Sequence, residues 1–209
     1  MKYKYKHKRS VPMGCNFYAM LSRMKYIDRW GLMNNTRKEN ISEHSLEVAI
    51  LAHALVLIGN ARFQKKLDAQ RAATLALFHD CPEILTGDLP TPVKYGNPQI
   101  QKAYREVEQV ASQKLLNLLP DDLKEAYTPL FLHQGEEDLL LMQYVKAADK
   151  LSALIKCTEE IRMGNLEFEK ARQSIANALK QISMPELNVF MEEMLPAYSL
   201  TLDELDIKP

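Results

Sequence analysis

The sequence predicts a single all-α domain, on three observations. Apolar residues recur at helical spacing along most of the 209 residues, 46% of which are hydrophobic. Strand-like alternation is sustained only in the Lys/Tyr stretch at the N-terminus, where the polar partners are all charged. Only 7 glycines and 10 prolines are present, too few for a collagen-like, low-complexity or loop-dominated chain. The length suits one domain, since about 100–200 residues is the usual size. No period of 20–50 residues repeats, which argues against a solenoid.

The elements follow in order. A first helix is expected from about Asn16 to Ile27. Ser42 is a cap candidate for a second that runs to about Ile58, where Gly59-Asn60 supplies a stop. Asp68 can cap a third, from Ala69 to about Asp80. Between Cys81 and Pro98 stand four prolines and two glycines, which predict a loop with room for one helical turn. Its prolines make it an ordered binding loop rather than a flexible linker, because long structureless loops in compact domains are usually functional. Long helices are expected again at about Gln99–Leu119, Glu136–Met163 and Phe168–Ile182, and a shorter one at Pro185–Leu195.

The charge is balanced but unevenly placed. Lys2, Lys4, Lys6, Lys8 and Arg9 give the first nine residues five basic groups and no acidic one. The other 200 residues carry 22 basic against 27 acidic groups, a net of −5. Residues 1–12 therefore read as a solvated, disordered tail, and residues 13–209 as the domain. A body of net −5 is no coat for nucleic-acid polymers, which bind by having many phosphates neutralised. The longest nearly apolar run, Val48–Ile58, is interrupted by His53 and is shorter than the roughly 20 residues a bilayer needs. No membrane association is expected. The tail lacks the apolar middle of a secretory signal, so a cytoplasmic protein is expected. Cys15, Cys81 and Cys157 are too few and scattered for a disulfide framework, and they read as reduced thiols.

Four polar side chains fall on apolar helix faces. At about 100° per residue, His44 shares a face with Val48, Leu51 and Leu55. His79 lies with Ala72, Leu75 and Ala76, and Asp80 beside them with Ala73 and Leu77. Asp149 sits with Met142, Val145 and Ala153. A buried carboxylate must be paired, hydrogen-bonded or metal-bound. Two imidazoles and two carboxylates suit a divalent transition metal. The stripes alone leave that reading and a set of hydrogen-bonded core groups both open.

Glu83, three residues beyond Asp80, lies on the ligand side if the turn stays helical, where it could transfer protons. Arg29 and Trp30, the only Trp, could pair a planar cation with a large ring, suited to a phosphate or hydroxyl and a sugar or base. Trp30 as a core plug fits the spacing equally well. Lys94 is a further anion contact. His53, about 180° from His44 on its helix, and His133, near Gly135, read as structural.

His44, the pair His79-Asp80 and the distant Asp149 resemble the H…HD…D signature of HD-domain metal-dependent phosphohydrolases. Arg29-Trp30, the run from Ser42 to Ser45, Glu83 and the loop Thr86–Tyr95 resemble more narrowly the bacterial 5′-deoxynucleotidases of that superfamily, from about Asn16 to Glu204. The resemblance implies an HD-domain helical bundle with a metal at its centre, and hydrolysis of deoxyribonucleoside 5′-monophosphates to deoxynucleoside and phosphate. It implies one divalent ion, Co²⁺ or Mn²⁺ favoured, held by His44, His79, Asp80 and Asp149. Glu83 matches the catalytic carboxylate. Arg29 matches the residue that selects against a ribose 2′-hydroxyl, and Trp30 its sugar-contacting neighbour. Asp88, Leu89, Pro90 and Thr91 match the substrate-binding loop, and His44, Asp80 and Asp149 would also face the substrate. A homodimer is implied. Cys81 stands where the family pattern suggests a small residue such as Ala, and it could affect the site. Two rival readings are an HD phosphohydrolase for dNTPs, cyclic dinucleotides or alarmones, and a nucleotide-sensing module without catalysis.

Overall fold

The computed structural model describes residues 15–94, 96–133 and 135–205, the side chains of Thr91 and Pro92 excepted. The expected tail, residues 1–12, lies outside the described residues.

The N-terminal helix is shorter than predicted. α1 covers Phe17–Leu21 and tightens into a 3₁₀ segment at Ser22–Tyr26. Phe17, fully buried, anchors it edge-on against Tyr127 and Phe131.

α2 spans Ile41–Arg62, and both of its ends differ from the sequence expectation. The cap is Asn40 rather than Ser42. Its side chain accepts from the backbone N–H groups of Ser42 and Glu43, while Glu43 returns a bond to the Asn40 N–H, completing a capping box. At the other end, Gly59-Asn60 does not stop the helix. A Cβ at residue 59 would come within 2.7 Å of Glu186 Oε1, so Gly59 serves close packing rather than termination. Asn60 ties the helix to Leu67 by two hydrogen bonds.

α3 (Ala69–Phe78) starts at Asp68, whose side chain accepts from the Arg71 N–H as expected. The loop that follows holds two helical turns rather than one, α4 (Glu83–Thr86) and α5 (Thr91–Lys94). Gly87 joins them at φ 74°, a conformation that favours glycine. α6 (Pro98–Leu116) is capped by Asn97.

α7 (Asp121–Leu132) has no counterpart among the predicted elements. Pro120 and Pro129 bracket only eight residues, so the pattern reads as broken. Pro129 is nevertheless accommodated in the last turn, next to the helix end at His133.

α8 (Glu136–Arg162) is the longest helix. α9 covers Glu169–Lys180. α10 (Pro185–Val189) continues through a π turn at Phe190–Met194 and a 3₁₀ turn at Leu195–Ser199.

α2 is the central helix, packed between α3 and α8, and these also touch each other. Its length and apolarity would suffice to cross a bilayer, yet Val48, Leu51, Ala52, Leu55 and Val56 are all buried inside the bundle. Leu75, Leu141, Leu151 and Ile155 meet them from α3 and α8. Burying each such side chain stabilises the fold by about 1.5–3 kcal/mol. This three-helix contact fixes where His44, the end of α3 and Asp149 stand. The fold is all-α with one isolated antiparallel bridge, between Asp28 and Asn40, among the described residues.

Candidate metal centre

The three core helices bring the four predicted ligands together. His44 projects from the first turns of α2, His79 closes the C-terminus of α3, Asp80 follows it, and Asp149 lies midway along α8. Donor atoms of His44, His79 and Asp149 all lie within 4.8 Å of one another. His44 Nε2 is 3.2 Å from Asp149 Oδ1 and 3.5 Å from Asp80 Oδ2, and His79 Nε2 is 3.2 Å from the same Asp80 oxygen.

The ring nitrogens favour one of the two readings left open by the sequence. His79 Nδ1 sits 2.6 Å from the Ala76 carbonyl oxygen, which can only accept, so Nδ1 carries the proton and Nε2 a lone pair. His44 Nε2 and His79 Nε2 are both buried, and neither has a hydrogen-bond partner. Buried polar atoms without partners are rare and call for an explanation. Two such nitrogens beside two carboxylates are poorly served as core groups. They fit a divalent cation.

Arg29 is 13% exposed and lies 3.3 Å from Glu39, 2.6 Å from His44 Nδ1 and 3.9 Å from Asp149. Burial works against its charge, but Glu39, Asp149, Asp80 and Asp88 more than compensate and raise it further. Trp30 takes part of each reading. Its ring packs on the buried Phe168, while its indole N–H donates to Glu39 Oε2 at 3.0 Å. Its φ of 58° is unusual for a bulky residue and costs on the order of 1–3 kcal/mol. Glu39 therefore orients both residues.

Glu83 is 5% exposed and its Oε2 has no partner. Burial, followed by the charges of Asp80 and Asp88, pushes its carboxyl up to about 9. Together with His79, Asp80, Arg105, Gln109 and His133 it lines a cavity of about 290 Å³. Asp88 is likewise raised, mainly by burial, with Arg29 opposing. Leu89 and Pro90 are half-buried in the same loop, and the Thr91 side chain lies outside the described residues. Lys94 is not free for an anion: it pairs with Glu108 at 2.9 Å and approaches Glu83 at 3.9 Å.

Cys81 points away from the site. It is 1% exposed, contacts Met24 Sδ at 3.7 Å, and its thiol is pushed well above the usual range by burial. His133, read from sequence as structural, ends α7 in the left-handed region and faces the cavity. Arg105, Gln109 and Glu39 went unpredicted for want of a spacing signal. Ser152 and Glu47 had one: each lies three residues beyond a predicted ligand, on the same helix face as Asp149 and His44.

Residues 16–198 match the family model described as 5′-deoxynucleotidase YfbR-like. The chain belongs to this family. A 5′-deoxynucleotidase of Erwinia tasmaniensis is 50% identical over 191 residues, covering 91% of this chain and 96% of the relative. One of Shewanella oneidensis is 48% identical, covering 91% and 97%. Among solved structures, an HD-domain phosphohydrolase of Listeria innocua superposes with a TM-score of 0.74 at 22% identity, over 88% of each chain. The cyanophage S-2L HD phosphohydrolase DatZ, bound to dA and one catalytic Zn²⁺ ion, superposes with a TM-score of 0.60 at 20% identity, over 85% of this chain and 95% of its own. The chain thus belongs to the YfbR-like 5′-deoxynucleotidase family, and its all-α fold is shared with these HD-domain structures.

Proposed function

We propose that this protein hydrolyses deoxyribonucleoside 5′-monophosphates to deoxynucleoside and phosphate, using one divalent ion held by His44, His79, Asp80 and Asp149. The observation that carries the reading is the pair of buried, partnerless Nε2 atoms aimed at two carboxylates. Co²⁺ or Mn²⁺ suits this mixed nitrogen and oxygen set, and Zn²⁺ is the ion named for DatZ. Such an ion supplies charge to a phosphate oxygen and lowers the pKa of a water towards about 7.

The remaining steps belong to the protein. Asp80 and Asp149, each beside the His44 imidazole, orient the attacking water. Glu83, with a carboxyl pushed up to about 9, holds a proton near neutral pH and delivers it to the departing 5′-oxygen. One P–O bond forms from water and the P–O5′ bond breaks, and the proton the water gives up restores Glu83, leaving the deoxynucleoside alcohol and inorganic phosphate. Arg29, fixed by Glu39, adds positive charge to a body of net −5. It also stands against C2′ of the sugar, where an additional hydroxyl would clash or go unpaired. Trp30 packs on the sugar, and Asp88, Leu89, Pro90 and Thr91 close over the nucleotide.

A cytoplasmic homodimer completes the reading. Buried reduced Cys81 and Cys157 fit a reducing compartment. Leu46, Ile50 and Leu57, exposed at 57%, 61% and 46%, form a stripe along α2 suited to a self-complementary contact. No membrane or nucleic-acid polymer is needed.

A panel of dAMP, dTMP, dTTP and AMP tests the proposal through phosphate release. Turnover of dAMP and dTMP well above that of AMP and dTTP is expected. Equal turnover of dTTP and dTMP would overturn the substrate class.

A further inference from the structure

His44 has two possible partners at Nδ1, and they exclude each other. Ser152 Oγ lies 3.1 Å from Nδ1, and the Ser152 hydroxyl donates in turn to Glu47 Oε2. With its hydrogen committed to Glu47, the Ser152 oxygen offers only lone pairs, so Nδ1 must carry the proton. Arg29 Nη1 lies 2.6 Å from the same nitrogen. A guanidinium only donates, so that contact requires a lone pair on Nδ1 and puts the imidazole proton on Nε2. An Nε2 that carries hydrogen cannot bind an ion.

We infer that Ser152 and Glu47 are positioning residues that hold His44 in the Nδ1–H tautomer, keeping Nε2 open toward Asp80 and Asp149 against the competing Arg29 contact. The inference rests on the metal reading proposed above. The geometry is built for it. His44 and Ser152 are fully buried, so no solvent hydroxyl can substitute. The chain also runs between the two central helices: α2 contributes His44 and Glu47, and α8 contributes Ser152 three residues beyond Asp149. A ligating histidine generally passes its other ring N–H to an acceptor, and loss of that acceptor typically weakens metal binding roughly 10–100-fold.

Ion-free wild type, Ser152→Ala and Glu47→Ala proteins are titrated with Co²⁺, followed by its visible absorption. In parallel, ¹⁵N spectra of the histidine rings assign the His44 tautomer before any ion is added. Both variants are expected to bind Co²⁺ roughly 10–100-fold more weakly, with the His44 proton moved from Nδ1 to Nε2. Glu47 is only half-buried, so Glu47→Ala decides the matter if Ser152→Ala does not fold. Thermal unfolding of the ion-free proteins separates a merely structural role, which would lower Tm and leave Co²⁺ affinity unchanged. Wild-type uptake of Co²⁺ with unchanged affinity in the folded variants overturns this inference and leaves the metal reading standing. A wild type that takes up no Co²⁺ overturns both.

Discussion

Replacing Glu83 by Gln gives two separate readouts, one thermodynamic and one catalytic. The side chain is 5% exposed, and burial with Asp80 and Asp88 nearby raises its carboxyl from 4.5 to about 9 in the folded, ion-free state. Between those values the folded protein keeps a proton that the unfolded chain has lost. A raised carboxyl therefore contributes stability below about pH 4.5 that drains away as pH rises towards about 9. One proton corresponds to about 1.4 kcal/mol per pH unit at most. A protein of 150–250 residues changes Tm by about 2–4 °C per kcal/mol. From pH 5.5 to 8 the Tm of EDTA-treated wild type should thus fall relative to Glu83→Gln by up to about 3–6 °C per pH unit. The amide cannot titrate, so the variant lacks this slope, and it should be the more stable protein at pH 8. Differential scanning fluorimetry across that range measures it. With Mn²⁺ restored, phosphate release from dAMP should drop about 10²–10⁴-fold, the usual worth of a proton-transfer group. Parallel Tm curves would refute the buried, raised carboxyl, and full turnover would remove Glu83 from the chemistry.

Three other perturbations follow from the same geometry. Lys94→Met removes the ammonium 3.9 Å from Glu83, so the limb of the pH–rate profile set by Glu83 should move to higher pH; a move to lower pH contradicts the assignment. Gly59→Ala forces a methyl to within 2.7 Å of the fully buried Glu186, which Lys65 and Tyr144 hold at 2.6 and 3.0 Å. The crowding should cost about 1–3 kcal/mol in urea unfolding, and an alanine variant of unchanged stability would contradict the close packing on Glu186. Arg29→Ala should narrow the ratio of kcat/KM for dAMP over AMP by about tenfold or more, and an unchanged ratio would place sugar selection elsewhere.

How far the sequence reaches depends on whether a feature is local. His44, His79, Asp80 and Asp149 stand on helix faces whose apolar neighbours are near in sequence, so 100° steps suffice to turn them inward. The capping box at Asn40 was as local, but Ser42 offered a competing cap two residues on. Gly59 reads as a terminator because glycine in a helix usually signals an end. Its actual reason, Glu186, is 127 residues away and invisible to any window. α7 was lost to its two prolines. The second partners of the site, Glu39 for Arg29 and Trp30 and Ser152 for His44, depend on how α2, α8 and the Asp28–Asn40 bridge pack, and only the three-residue offsets at Glu47 and Ser152 hint at them.

Anomalous diffraction from crystals soaked in Mn²⁺ probes the four-residue cage most directly. One strong peak bonded to His44 Nε2, His79 Nε2 and one oxygen each of Asp80 and Asp149 is the predicted result. A peak bound elsewhere, or none at that point with all four side chains paired to protein groups, would contradict it.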